Sequence, residues 1–196
     1  MPNNHQHEQF GGLIFDCDGT LADTMPLHFL AWSETMQRHG IEFDHDCFLA
    51  NAGRPTVAII GSLLEEQSLN GNAVEIAAEK EQAFLRHLPE VKPIEAVAQI
   101  ARQHHGQMPM GVGSGSNRAV VHQILDLIGM ADLFGAVVGA EDTERHKPEP
   151  DVFLEVARQI GVEPERCQVF EDADLGLEAA RRAGMDAFDI RLLVGN

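Results

Sequence analysis

Five short apolar runs, at residues 12–15, 110–113, 136–139, 168–170 and 187–190, restrict this chain more than any other feature. The polar and acidic residues of the chain gather where these runs end. Between the later runs, apolar residues recur at helical spacing. Helices are predicted over 94–104, over 119–128, from about 150 to 160 with Val152, Phe153, Val156, Ala157 and Ile160 on one side, and over 175–183, closed by Gly184. Strands that alternate with helices predict an α/β fold: a Rossmann-like, doubly wound parallel sheet. In such a sheet ligands bind at the carboxyl ends of the strands.

The interval between the first and second runs breaks this rhythm. Leu27, Leu30, Ala31, Thr35 and Met36 mark a helix over 25–39 with Gly40 placed to stop it, and further helices are predicted over 56–64 and 73–88. No strand pattern intervenes. Residues 22–90 therefore read as an all-helical insertion into a core made of residues 1–21 and 91–196.

A chain of 196 residues can bury a full core. Its 14 Lys and Arg against 31 Asp and Glu give a net charge of -17, which repels nucleic-acid backbones and anionic membranes. A small phosphorylated molecule is compatible with that charge, because a few local cations and a metal reverse the potential inside one pocket. Cys17, Cys47 and Cys167 have no paired spacing and read as reduced thiols of a cytoplasmic protein. The polar N-terminus has no apolar segment of the signal-peptide type, and His5 and His7 within it read as terminal polar residues. No run is long enough to span a bilayer. The chain is read as a monomer, with neither nucleic acid nor membrane as partner.

The first run, Gly12-Leu13-Ile14-Phe15, delivers Asp16-Cys17-Asp18-Gly19-Thr20. If the strand geometry continues, Asp16 and Asp18 project to one side, roughly 7 Å apart, with Cys17 on the other. At an effective dielectric near 20 their charges repel by about 2 kcal/mol, which calls for a cation or a shared proton. Other strand ends supply Ser114, Lys147, Glu171 and Asp172. Each fits a step of phosphoryl transfer. Asp16 can attack phosphorus, Asp18 can serve as general acid and base, and Ser114 with Lys147 can hold phosphoryl oxygens. Oxygen ligands from Asp16, the Asp18 backbone carbonyl and Asp172 suit Mg²⁺, with Glu171 in its outer sphere.

Taken in order, FDCDGT, GVGSGSN, the lysine of HKPEPD and FEDADLG resemble the four motifs of the haloacid dehalogenase (HAD) superfamily, and the match spans nearly the whole chain. The chain is most similar to the β-phosphoglucomutase-like branch, which includes bacterial sugar phosphatases of the fructose-1-phosphatase type. The resemblance implies a HAD-like core with a C1 cap formed by the helical insertion. It implies Asp16 as nucleophile, Asp18 as acid and base, Ser114 and Lys147 as phosphate ligands, and Mg²⁺ on Asp16, Asp18, Glu171 and Asp172. It also places Thr20, Ser116 and Asn117 beside the substrate.

Substrate choice is expected in the insertion, where His28, Arg54 and Lys80 are candidate contacts and Trp32 could stack on a sugar ring. The resulting expectation is a phosphatase of small sugar phosphates. A β-phosphoglucomutase-like phosphomutase shares every core residue. Asn117 weighs against it, because β-phosphoglucomutases often carry lysine at that point. A receiver-like phosphoacceptor domain also uses an acidic cluster, a hydroxyl and a lysine. Its motifs run in a different chain order, and it lacks a large helical insertion.

Overall fold

The five apolar runs become five parallel strands in the computed structural model, which describes residues 9–51 and 55–194. These are β1 (Gly12–Phe15), β2 (Met110–Gly113), β3 (Ala136–Val138), β4 (Cys167–Glu171) and β5 (Asp186–Asp189), in the order β3-β2-β1-β4-β5. Leu13 pairs with Met110 on one side and with Gln168 on the other, so β1 is central. β1, β2 and β4 are buried along their whole length. That burial accounts for the apolar runs of β1 and β2 and for the apolar centre of β4, since a parallel sheet is covered by helices on both faces. The chain winds from β1 out to β3 and then crosses back to β4. The reversal of strand order therefore falls between β1 and β4, where a doubly wound sheet opens a crevice at its carboxyl edge.

The chain divides into two compact units, one of Met1–Asp23 with Lys92–Asn196 and one of Thr24–Val91. The second is helical: α1 (Met25–Arg38), α2 (His45–Ala50), α3 (Thr56–Glu66) and α4 (Ala73–His87). Its core joins Trp32, Met36, Ile60, Leu63 and Ile76. Asn72 caps α4 by accepting from the backbone N–H groups of Val74 and Glu75. Helix α2 was not expected from the sequence. Only its Phe48 is buried, so it has no apolar periodicity, and Asp44, which accepts from the Cys47 N–H at 2.8 Å, defines its start.

The sheet unit adds α5 (Glu95–His104), α6 (Arg118–Leu127), α7 (Asp151–Ile160), α8 (Asp174–Arg182) and the short α9 (Arg191–Val194). Gly113 lets helix α7 lie tightly against β2, since a Cβ there would stand only 3.1 Å from the Phe153 ring. Phe15 stacks on Phe170 at 4.8 Å between ring centroids, tying β1 to β4 just below their carboxyl ends. The cysteines are free, with Cys17 and Cys167 buried. Among the described residues, no helix is long and apolar enough to cross a membrane.

Candidate active site

The site begins where β1 stops. The Asp16 N–H still donates to the Phe170 carbonyl at 3.0 Å, but the chain then wraps around the Cys17 carbonyl, which accepts from the N–H groups of Thr20, Leu21 and Ala22. Gly19, at φ 85°, completes the turn, and a side chain there would run into the Asp172 carboxylate. Asp18 is thus part of a turn, and the simple two-residue strand alternation does not govern its direction.

Asp16 and Glu171 are buried, and both engage Lys147. The ammonium donates to Asp16 Oδ1 at 2.6 Å and to Glu171 Oε1 at 2.7 Å. It also lies 4.7 Å from the centroid of the Phe153 ring. Glu171 Oε2 accepts from the Ala173 N–H at 2.7 Å, so both of its oxygens have partners. Burial would lower the pKa of Lys147, but Asp16 and Glu171 more than offset it and hold the ammonium charged. Burial pushes Asp16 well above its ordinary value, with Glu171, Asp172 and Asp18 adding to the rise against Lys147. Asp172 is raised to about 6 by burial and by Glu171, against the Thr20 hydrogen bond.

Carboxylate oxygens of Asp16, Glu171 and Asp172 lie within 4.8 Å of one another. Three carboxylates gather beside one ammonium, all the donors are hard oxygens, and Gly19, by lacking a Cβ, makes room for the Asp172 carboxylate in the cluster. This donor set fits a small divalent cation of the Mg²⁺ type. The Asp18 side chain, for which the expected metal ligand is the backbone carbonyl, stands outside this carboxylate cluster. Its Oδ2 accepts from Ser116 Oγ at 2.7 Å and from Ser114 Oγ at 3.3 Å.

The other candidate residues divide by position. Thr20, expected beside substrate, is wholly buried and donates its hydroxyl to Asp172 Oδ1 at 2.8 Å, which makes it a support for that carboxylate. Asn117, expected to touch substrate, instead caps α6 by accepting from the Ala119 N–H at 3.0 Å. Ser116 also turns inward, to Asp18. In the helical unit, Lys80 is only 3% exposed despite its neighbours Glu79 and Glu81. Its Nζ lies 3.1 Å from His28 Nδ1 and 5.5 Å from the Trp32 ring centroid. Trp32 stacks on Phe43 as part of the unit's core. Arg54 lies outside the described residues.

Phe153 and Gly176 complete the site. Phe153 read as an ordinary core position of α7, and its place beneath Lys147 has no local sequence signal. Gly176, in the first turns of α8, packs its Cα against the Glu171 carboxylate, and an added Cβ would overlap Glu171 Oε1. Its only signal was a glycine inside a helix, where a packing reason is usual. Gly176→Ala is expected to push Glu171 off Lys147 and to destabilise the fold by about 1–3 kcal/mol, the usual range for overpacking. Chemical denaturation checks the size, and an unchanged midpoint would contradict this packing.

A five-stranded parallel sheet thus carries an acidic cluster, two serines and a lysine at its carboxyl edge. The haloacid dehalogenase-like hydrolase profile matches residues 13–190, and the chain belongs to that family. It is 42% identical over 188 residues to the fructose-1-phosphate phosphatase YqaB of Escherichia coli (strain K12), covering 95% of this chain and 100% of that protein. It is 29% identical over 187 residues to the β-phosphoglucomutase of Bacillus subtilis (strain 168), covering 91% of this chain and 82% of that protein. The crystal structure of a β-phosphoglucomutase from Clostridium difficile matches with a TM-score of 0.80 at 25% identity, covering 92% of this chain and 84% of that chain.

Proposed function

We propose that this hydrolase is a Mg²⁺-dependent phosphatase of small sugar phosphates that works through a phosphoryl group carried on Asp16. The observation that carries the reading is the contact of Lys147 Nζ with Asp16 Oδ1 at the end of the central strand. It aims one carboxylate oxygen and compensates its charge, leaving the group available as a nucleophile. The sugar phosphate is inferred from the likeness to the Escherichia coli phosphatase, which spans nearly the whole chain.

In the first half-reaction an Asp16 oxygen forms a bond to phosphorus while the bond from phosphorus to the ester oxygen breaks. The electron pair stays on that oxygen, which takes a proton from Asp18 and leaves as the sugar hydroxyl. In the second half, water attacks phosphorus and gives a proton to Asp18. The bond between phosphorus and Asp16 then breaks, returning its electron pair to the carboxylate. Ser114 and Lys147 hold phosphoryl oxygens through both displacements. Mg²⁺, held by Asp16, Asp172 and the Asp18 backbone carbonyl with Glu171 outside them, would supply charge neutralisation on the phosphoryl group. His28 and Lys80 are our candidates for substrate contact, together with Arg54.

A phosphate-release panel of hexose and pentose phosphates tests the reading. Release is expected with Mg²⁺, to fall to background after chelation, and to return when Mg²⁺ is restored. Mg²⁺ at a hundred times its Kd is expected to stabilise the folded protein by about 2.7 kcal/mol, and Asp172→Asn to remove most of that gain. Turnover indifferent to chelation would contradict the metal requirement. Isomerisation of β-glucose 1-phosphate that outpaces phosphate release would assign the chain to the phosphomutases instead.

A further inference from the structure

We propose that Ser116 is a positioning residue for the proton carrier: it holds the Asp18 carboxylate toward the phosphoryl site while Ser114 serves the phosphate. The inference rests on the phosphatase reading above and assigns Ser116 a part in proton transfer in place of the substrate contact expected from the sequence.

Both serine hydroxyls donate to the same oxygen, Asp18 Oδ2, but Ser116 makes the shorter bond, 2.7 Å against 3.3 Å. The Ser114 oxygen also accepts from the Ser116 N–H at 2.9 Å, so the two serines form one small hydrogen-bonded turn. A hydroxyl has a single proton to donate. Once Ser114 donates to a phosphoryl oxygen it can no longer donate to Asp18. The Ser116 bond is the one that can persist through the reaction.

The loop is built to keep Ser116 in place. Its carbonyl accepts from the Ala140 N–H at 2.9 Å, and the Ser114 N–H donates to the Val138 carbonyl at 3.0 Å, anchoring both serines to the end of β3. Both Glu141 carboxylate oxygens lie 3.1 Å from the Arg118 N–H, and Asp142 pairs with the Arg118 guanidinium at 2.8 Å. Gly139 lies so close to the Arg118 backbone that an added Cβ would stand 2.7 Å from its Cα. A serine fixed on both flanks can set the direction of a carboxylate that sits in a turn.

The test measures kcat/KM with phenyl phosphate and with p-nitrophenyl phosphate, two substrates of similar shape whose leaving groups differ in their need for a proton. Ser116→Ala is expected to lower kcat/KM for phenyl phosphate about 10-fold, part of the roughly 10²–10⁴-fold that acid–base catalysis contributes. The p-nitrophenyl ester is expected to be affected far less. Ser116→Thr, which keeps the hydroxyl, is expected to restore activity, and Ser116→Ala is expected to add nothing in an Asp18→Ala background. An equal loss on both esters, a gain in activity, or full additivity with Asp18→Ala would overturn the proposal. Asp16→Asn run in parallel separates the two levels. If that variant still turns over, the phosphatase reading itself has failed, whatever Ser116 does.

Discussion

Asp16→Asn is expected to lower phosphate release by more than about 10⁴-fold, the scale on which removing a nucleophile acts in enzymes with covalent intermediates, while the fold stays intact. The amide has the size and shape of the carboxylate, so the packing at the end of β1 need not change. Lys147 keeps Glu171 as a partner at 2.7 Å. Because burial raises the pKa of Asp16 above 3.8, folding disfavours its charged form. That penalty is absent below the unfolded pKa, grows as pH rises from there to the folded pKa, and is constant above it. The asparagine also gives up the ion pair of Asp16 with Lys147, so the relief of that penalty and the loss of the pair oppose each other, and the folded state is expected to persist at neutral pH. Steady-state release and urea denaturation measure the two halves of this expectation, and an unfolded variant would make the activity loss uninformative about chemistry.

Lys147→Met is expected to fail in both respects. The thioether fills much of the same volume over Phe153 but leaves two buried carboxylates, Asp16 at 5% and Glu171 at 2% exposure, without their shared cation. Breaking a buried pair from one side costs about 3–5 kcal/mol, since the remaining charge keeps its desolvation penalty. Turnover is expected to drop at least about 10²-fold, as when one group that stabilises transition-state charge is removed. Lys147→Arg is expected to rescue little, because a planar fork cannot take the place of a compact ammonium between two carboxylates. Urea midpoints and initial rates for both variants check this. A loss of stability under about 1 kcal/mol in Lys147→Met would contradict a buried ion pair of this kind.

The parallel sheet was legible because each strand carries a short apolar segment and the connections between the later strands carry helical spacing. Asp16, Lys147, Glu171 and Asp172 were legible as a group because strand ends of such a sheet share one edge. Three features were hidden for physical reasons. The direction of Asp18 depends on a turn around the Cys17 carbonyl, a backbone arrangement that strand alternation does not encode. Lys80, expected as a substrate contact, sits between Glu79 and Glu81 in sequence, yet its burial is set by Phe84 one turn along α4 and by Trp32 and His28 of α1. Thr20 and Asn117 carry polar groups suited to a ligand, but their neighbours in the fold, Asp172 and the start of α6, claim them first.

The account depends most on phosphorus becoming bonded to Asp16. Acid quench during turnover of a reactive substrate, followed by peptide mass mapping, is the direct measurement. The expected result is one phosphoryl group on the peptide carrying Asp16, formed within the first turnover, lost once the substrate is exhausted, and absent from Asp16→Asn. Phosphate release at full rate with no modified peptide at any quench time would contradict the covalent route.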